Sequence, residues 1–88
     1  MPLDYSRLRT LTAREIVSAL LRDGFRLRRH NGAHRVYTHP DRRRVTVSFH
    51  RPGETFRFKT LRSMLEEQAR WNQDDLARLH LLHSPPSA

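Results

Sequence analysis

The sequence predicts an α+β fold: a helix, a three-stranded antiparallel sheet, a second helix, and a short C-terminal helix, with the helices on one face of the sheet. Three observations predict it. A capped apolar stripe at helical spacing stands near the N-terminus. Three short alternating segments follow, separated by turn residues. Two further apolar stripes, the second with its own cap, complete the chain. A hydrophobic content of 36% in 88 residues allows only a thin core, one sheet under one layer of helices.

Residues 1–11 are expected to form an extended lead-in. Helix one is expected over Ala13 to Asp23. Thr12 can cap it, and Glu15 can bond back in a capping box. Leu11 and Ile16 stand where a hydrophobic staple would put them. Ile16, Val17, Leu20 and Leu21 form its apolar stripe, and Gly24 is the natural stop. In "FRLRRHNG", Phe25 and Leu27 alternate with Arg26 and Arg28, which reads as a half-buried strand with a basic face. Asn31-Gly32 is a hairpin signal, "AHRVYT" is the second strand, and Pro40 and Asp41 suit the next turn. "RVTVSF" is the third strand, with Val45, Val47 and Phe49 facing one way and Thr46 and Ser48 the other. "HRPGETFRF" reads as an irregular loop. "KTLRSMLEEQA" is helix two, with Thr60 as its expected cap and Leu61, Met64, Leu65 and Ala69 as its stripe. "WNQDDLARLHLL" is the short last helix, with Asn72 as cap, Asp75 at the third position and Trp71 stapled to Leu76. The expected organisation is one domain over residues 12–83 and a disordered tail over 84–88.

The formal net charge is +8, and it is concentrated. Between Arg26 and Arg62 stand eleven basic residues and only two acids, Asp41 and Glu54. The flanks together are close to neutral. A uniformly basic surface would signify only solubility. A basic block between near-neutral flanks points to a polyanion, most simply a nucleic acid. Sixteen of the seventeen bases are arginine, whose planar fork can bond two phosphate oxygens at once. The absence of cysteine excludes disulfides, thiolate nucleophiles and cysteine-based zinc sites. No stretch is apolar enough for a membrane span and no signal-peptide run opens the chain, so a cytoplasmic protein is expected.

The second strand carries His34, Val36 and Thr38 on one face and Arg35, Tyr37 and His39 on the other. Burying Tyr37 removes more apolar surface than burying Val36, so Tyr37 is expected against the helices and His34 on the open face. Strand one then sends Arg26 and Arg28 to that face if Leu27 is core. Strand three sends Thr46, Ser48 and, by continuation, His50. His39, before Pro40, reads as a turn residue, and His30 as a turn residue or phosphate contact. His80 and His83 are expected in the last helix. His30 and His34 are the only pair with H-x-x-x-H spacing and flank a turn, so no metal site and no cofactor are expected. The serines lack the flanking glycines of a nucleophile elbow. The "RRR" at 42–44 reads as a solvated hairpin tip that could also ride along a phosphate backbone.

The segments "REIVSALLRDGF", "GAHRVYTHP", "RRVTVSFH", "KTLRSMLEEQA" and "NQDDLARL" resemble, element by element, the HicA (YcfA-like) family of messenger-RNA interferase toxins. The resemblance covers roughly Thr12 to Leu79. It implies a fold like that of double-stranded-RNA-binding domains, with both main helices on one face of a three-stranded sheet. It implies that the histidine of the family's glycine-serine-histidine motif, here Gly32, Ala33 and His34, is catalytic. The motif serine is Ala33 in this chain. The family often has proline near Ser48 and glycine just before Thr60, where this chain has Lys59. It also implies a HicB-type antitoxin as protein partner.

The activity that follows is metal-independent RNA cleavage. RNA carries its own nucleophile, the 2′-hydroxyl, so an imidazole acting as general acid or base can suffice. His34 is the expected proton carrier and His50 the candidate for a second. Arg28, Arg35 or Lys59 would steady the charge growing on phosphate. Arg26, Arg29, Arg43 and Arg44 would add RNA affinity through counterion release. Two other readings compete. One is a non-catalytic RNA-binding module on the same scaffold, the other a protein-interaction domain for an acidic partner.

Overall fold

The computed structural model describes Tyr5 and residues 8–81; His83 and the expected tail over 84–88 lie outside the described residues. The element order is α1 (Ala13–Asp23), β1 (Arg26–Asn31), β2 (His34–Thr38), β3 (Arg44–Ser48), α2 (Phe58–Arg62), a π-helical stretch (Ser63–Gln68) and α3 (Gln73–Arg78). This is the α-β-β-β-α arrangement with a short last helix, on one open sheet of order β1-β2-β3.

α1 starts and stops where its sequence says it should. Thr12 Oγ1 accepts the Glu15 N–H at 3.3 Å, and Glu15 Oε1 accepts the Thr12 N–H at 3.0 Å. Leu11 and Ile16 are both buried beside this cap. Two more of the helix's orphan donors are met from a distance. Ala13 N–H reaches the Glu54 carbonyl at 2.8 Å and Arg14 N–H the Pro52 carbonyl at 2.9 Å. The irregular loop after β3 thus folds across the start of α1. Glu54 Oε2 holds that loop by accepting the N–H groups of His50 and Arg51. At the other end Gly24 takes φ 105° and closes a Schellman cap, with Phe25 N–H on the Leu20 carbonyl at 2.9 Å.

The described part of the lead-in is not extended. Leu8 N–H bonds the Tyr5 carbonyl and Leu11 N–H the Leu8 carbonyl, so the chain turns. The turn has a simple cause: Leu8 and Leu11 are three apart and both are buried, which an extended chain would not permit.

The core gathers Ile16, Ala19 and Leu20 of α1, Tyr37, Val45 and Val47 of the sheet, and Leu61, Met64, Leu65, Trp71 and Leu76 from the C-terminal half. Its strand residues all come from one sheet face. Val36 is buried but stands outside that cluster, on the opposite face. The helices therefore roof one side only.

Three local expectations need correction. Leu27 pairs with Tyr37 yet is 50% exposed, because β1 is an edge strand whose only substantial neighbour among the described elements is β2. A bulge between Leu27 and Arg29 leaves Arg28 unpaired, so Arg29 rather than Arg28 stands opposite Val36. The first hairpin loop is Gly32-Ala33, one residue later than Asn31-Gly32, since Asn31 pairs with His34. Gly32 has φ 61° and Ala33 does not have positive φ, the sign pattern of a type II′ turn, which calls for glycine first.

The second helix also departs from expectation. It begins at Phe58 with Arg57 as its flanking residue, so Thr60 is not its cap and no side chain caps it. After Arg62 it widens into the π-helical stretch, with Ala69 N–H on the Met64 carbonyl at 2.9 Å. α3 carries the expected cap: Asn72 Oδ1 accepts the Asp75 N–H at 2.8 Å and Asp75 Oδ2 the Asn72 N–H at 2.9 Å. His80 is not within it. α3 ends at Arg78, and His80 takes φ 62° in a second Schellman cap, with Leu81 N–H on the Leu76 carbonyl at 2.9 Å.

Candidate functional site on the open sheet face

Register assembles the open face row by row. Asn31, His34 and Ser48 form the row beside the first hairpin; Arg29, Val36 and Thr46 form the next; Arg26, Thr38 and Arg44 form the third. At a rise of about 3.3 Å per residue, the third row lies about 13 Å from the His34 row. His34 is exposed, and its Nδ1 lies 2.7 Å from Ser48 Oγ. Its Nε2 makes no hydrogen bond to any described residue. The fold that builds this is short-range. A two-residue glycine turn starts β2 at His34, and the hairpin centred on Asp41 brings Ser48 directly opposite.

That second hairpin is tied down from below. Asp41 N–H donates to His39 Nδ1 at 3.1 Å, so His39 Nε2 carries the proton and donates to the Asp23 carbonyl at 2.8 Å. The His39 ring stands edge-on to Phe25 with centroids 5.1 Å apart. His39 is therefore a structural turn residue. His30 bonds the Gly32 carbonyl at 3.0 Å within the first turn.

The basic residues divide into two groups. Arg26, Arg28, Arg29, Arg44 and Lys59 are exposed. Arg43 is not: its guanidinium meets Asp23 at 3.0 Å and Asp41 at 2.7 Å, donates to the Ala69 carbonyl at 2.6 Å, and lies 4.9 Å from the Phe25 ring centroid. Arg43 is thus consumed by the fold rather than presented at a solvated tip. Arg35 is on the helix-side face of β2, stacked 4.0 Å over the Phe49 ring and bonded to the Phe49 carbonyl at 3.2 Å. It does not share a row with His34. β3 ends at Ser48, so His50 lies past the strand in the bend held by Glu54, and its ring makes no hydrogen bond to a described residue.

Reading the chain residue by residue missed three supporting groups. Strand alternation puts Ser48 on the open face, and the structure sets it against the imidazole. Asp23, with its side chain only 6% exposed, accepts from Trp71 Nε1 at 2.9 Å and from Arg78 at 2.7 Å besides holding Arg43. Burial pushes its carboxyl up, but these hydrogen bonds and the Arg43 charge outweigh it, leaving the group below its ordinary 3.8. Gln68 Oε1 accepts the Thr46 N–H at 2.8 Å on the outer edge of β3. A cleft of about 280 Å³ lies elsewhere, lined by Arg14, Ser18, Arg22, Leu79 and His80 among others, and includes no residue of the open face. Among the described residues, no group of three or more His, Asp or Glu is placed to hold a metal ion, and no helix is long and apolar enough to cross a membrane.

Fold and face together define an α-β-β-β-α protein with one bare sheet surface carrying an exposed histidine among arginines. The family described as HicA toxin of bacterial toxin-antitoxin systems matches residues 13–71. The chain belongs to that family, and membership implies an antitoxin partner. No curated protein matches the chain.

Proposed function

We propose that this HicA-family toxin is a metal-independent endoribonuclease that cleaves messenger RNA, with His34 as its general acid or base. The observation that carries this reading is the His34 ring itself: exposed, held at Nδ1 by Ser48 at 2.7 Å, with Nε2 bonded to none of the described residues. An imidazole so held can take the proton from a ribose 2′-hydroxyl or give one to the departing 5′-oxygen. The first transfer makes the 2′-oxygen attack the adjacent phosphorus; the second lets the 5′-oxygen leave as a hydroxyl. Such proton transfer is worth about 10²–10⁴-fold in rate.

Arg29 and the unpaired Arg28 are the nearest exposed bases on β1, and Arg26 and Arg44 extend the charge along the sheet. Lys59, at the start of α2, is the remaining exposed candidate. These residues would bind phosphates with little reading of base sequence. Arg35 and Arg43 serve packing instead. His50 remains the candidate second proton carrier. The antitoxin, of HicB type, would cover the basic face with acidic groups.

The test is cleavage of a defined RNA by purified protein in the presence of EDTA. Wild type is expected to cut, and a substrate with 2′-deoxyribose at the scissile nucleotide is expected to bind and survive. His34→Ala is expected to lose cleavage while RNA affinity and melting temperature stay near wild type. Unchanged cleavage by His34→Ala would sink the assignment. Intact RNA with the wild type, bound with undiminished affinity, would favour the non-catalytic module.

A further inference from the structure

We propose that Ser48 is the positioning residue for the His34 imidazole, holding it through either protonation state. The inference rests on the nuclease reading above and names a residue that reading does not require. Its ground is the sheet register. Phe49 N–H bonds the Ala33 carbonyl at 3.1 Å, so residues 33 and 49 form a hydrogen-bonded pair. The next pair along, His34 and Ser48, is therefore a non-hydrogen-bonded pair. In such pairs the Cα atoms come within about 4.5 Å and the side chains approach most closely. A serine there reaches the nearer ring nitrogen, and the observed Nδ1 to Oγ distance is 2.7 Å.

The chemistry of the partner matters as much as its place. A hydroxyl can donate a proton to a bare Nδ1 and can equally accept one from a protonated Nδ1. The bond therefore survives when Nε2 changes from proton acceptor to proton donor. A carboxylate would favour the imidazolium and bias the ring toward one role. No backbone carbonyl or carboxylate among the described residues bonds the His34 ring, so the Ser48 hydroxyl is the hydrogen-bond partner those residues give it.

Two measurements test this together. In steady-state RNA cleavage, Ser48→Ala is expected to lower kcat about tenfold with KM little changed, as expected for a catalytic group that loses its aim. Ser48→Thr, which keeps a hydroxyl, is expected to recover most of that loss. Ser48→Asp, whose carboxylate favours the imidazolium, is expected to displace the pH profile of cleavage upward and to change the nitrogen-15 NMR spectra of the His34 ring. Ser48→Ala should also change the balance of His34 tautomers in the same spectra. Wild-type kcat and wild-type His34 spectra in Ser48→Ala, with cleavage still abolished by His34→Ala, would overturn the Ser48 role and leave the nuclease intact. Cleavage that survives His34→Ala would overturn the nuclease reading, and the Ser48 role with it.

Discussion

Asp23 and Arg43 form a nearly enclosed ion pair, 3.0 Å apart with side chains 6% and 15% exposed, joining the end of α1 to the turn between β2 and β3. Trp71 and Arg78 bring the C-terminal segment to the same carboxylate. Removing the acid leaves Arg43 enclosed beside Phe25 with only the more exposed Asp41 carboxylate and the Ala69 carbonyl to meet its charge. Asp23→Ala is expected to destabilise the protein by about 3 kcal/mol, measured by denaturant unfolding. Arg43→Ala is expected to cost a similar amount, and the double variant much less than the sum, because each single change already breaks the shared pair.

The same carboxylate gives stability an acid limb. Its folded pKa lies below the ordinary 3.8, so its contribution is complete above that value and is lost as pH falls through the depressed one. Glu54 acts with the same sign: the Arg51 and His50 N–H groups hold it below its ordinary 4.5. Unfolding free energy is expected to fall below about pH 4. In Asp23→Asn that acid limb should be shallower, as read from unfolding curves collected across this range.

Two glycines share a left-handed backbone but differ in what surrounds them. Gly24 has φ 105°, and a Cβ there would stand 3.0 Å from His39 Nε2. Gly32 has φ 61° and open space around it. Gly32→Ala is expected to cost about 1 kcal/mol, from backbone strain alone. Gly24→Ala adds displacement of His39 from the Asp23 carbonyl and is expected to cost about twice as much. Thermal unfolding of the two variants side by side separates strain from contact.

The elements that local chemistry specifies were legible in the sequence. Capping boxes at Thr12/Glu15 and Asn72/Asp75, the stop at Gly24 and the alternation of Val45 and Val47 each depend on neighbours a few residues away. Placement of Tyr37 rather than Val36 against the helices followed from side-chain size. What escaped depends on residues far apart in sequence. Leu27 alternates like a core residue, but nothing local reveals that β1 is an edge with a bulge at Arg28. Arg43 looks like its neighbours in "RRR" until Asp23, twenty residues earlier, is found beside it. The pairing of His34 with Ser48 lay within reach: folding the chain at Asp41 sets residues seven before and seven after it face to face.

The edge of β3 offers a direct test of tertiary hydrogen bonding. Thr46 N–H points away from the sheet and is met by Gln68 Oε1, whose amide nitrogen in turn donates to Ser63 Oγ at 2.8 Å. This cover blunts an otherwise open strand edge. Gln68→Ala is expected to cost about 1 kcal/mol and to speed hydrogen exchange of the Thr46 amide. Gln68→Glu keeps an acceptor for Thr46 and loses only the donor to Ser63, so its Thr46 exchange should stay slower than in the alanine variant.

Adjacent arginines are expected to behave as different kinds of residue. Arg44 is exposed on the third row of the open face, beside Thr38 and in line with Arg26. Arg43 is spent on Asp23, Asp41 and the Ala69 carbonyl. Arg44→Ala should therefore leave the melting temperature near wild type while weakening RNA binding for every sequence alike. It should also lower the slope of log affinity against log salt by about one, the signature of one lost phosphate contact. Arg43→Ala should do the reverse: it melts early, yet at a temperature where it is still folded its salt slope matches wild type. Fluorescence anisotropy of a labelled RNA titrated at several salt concentrations, with a thermal melt of each variant, reads both effects. If Arg43 and Arg44 gave the same salt slope loss, the division of the basic block into a packing part and a binding part would be wrong.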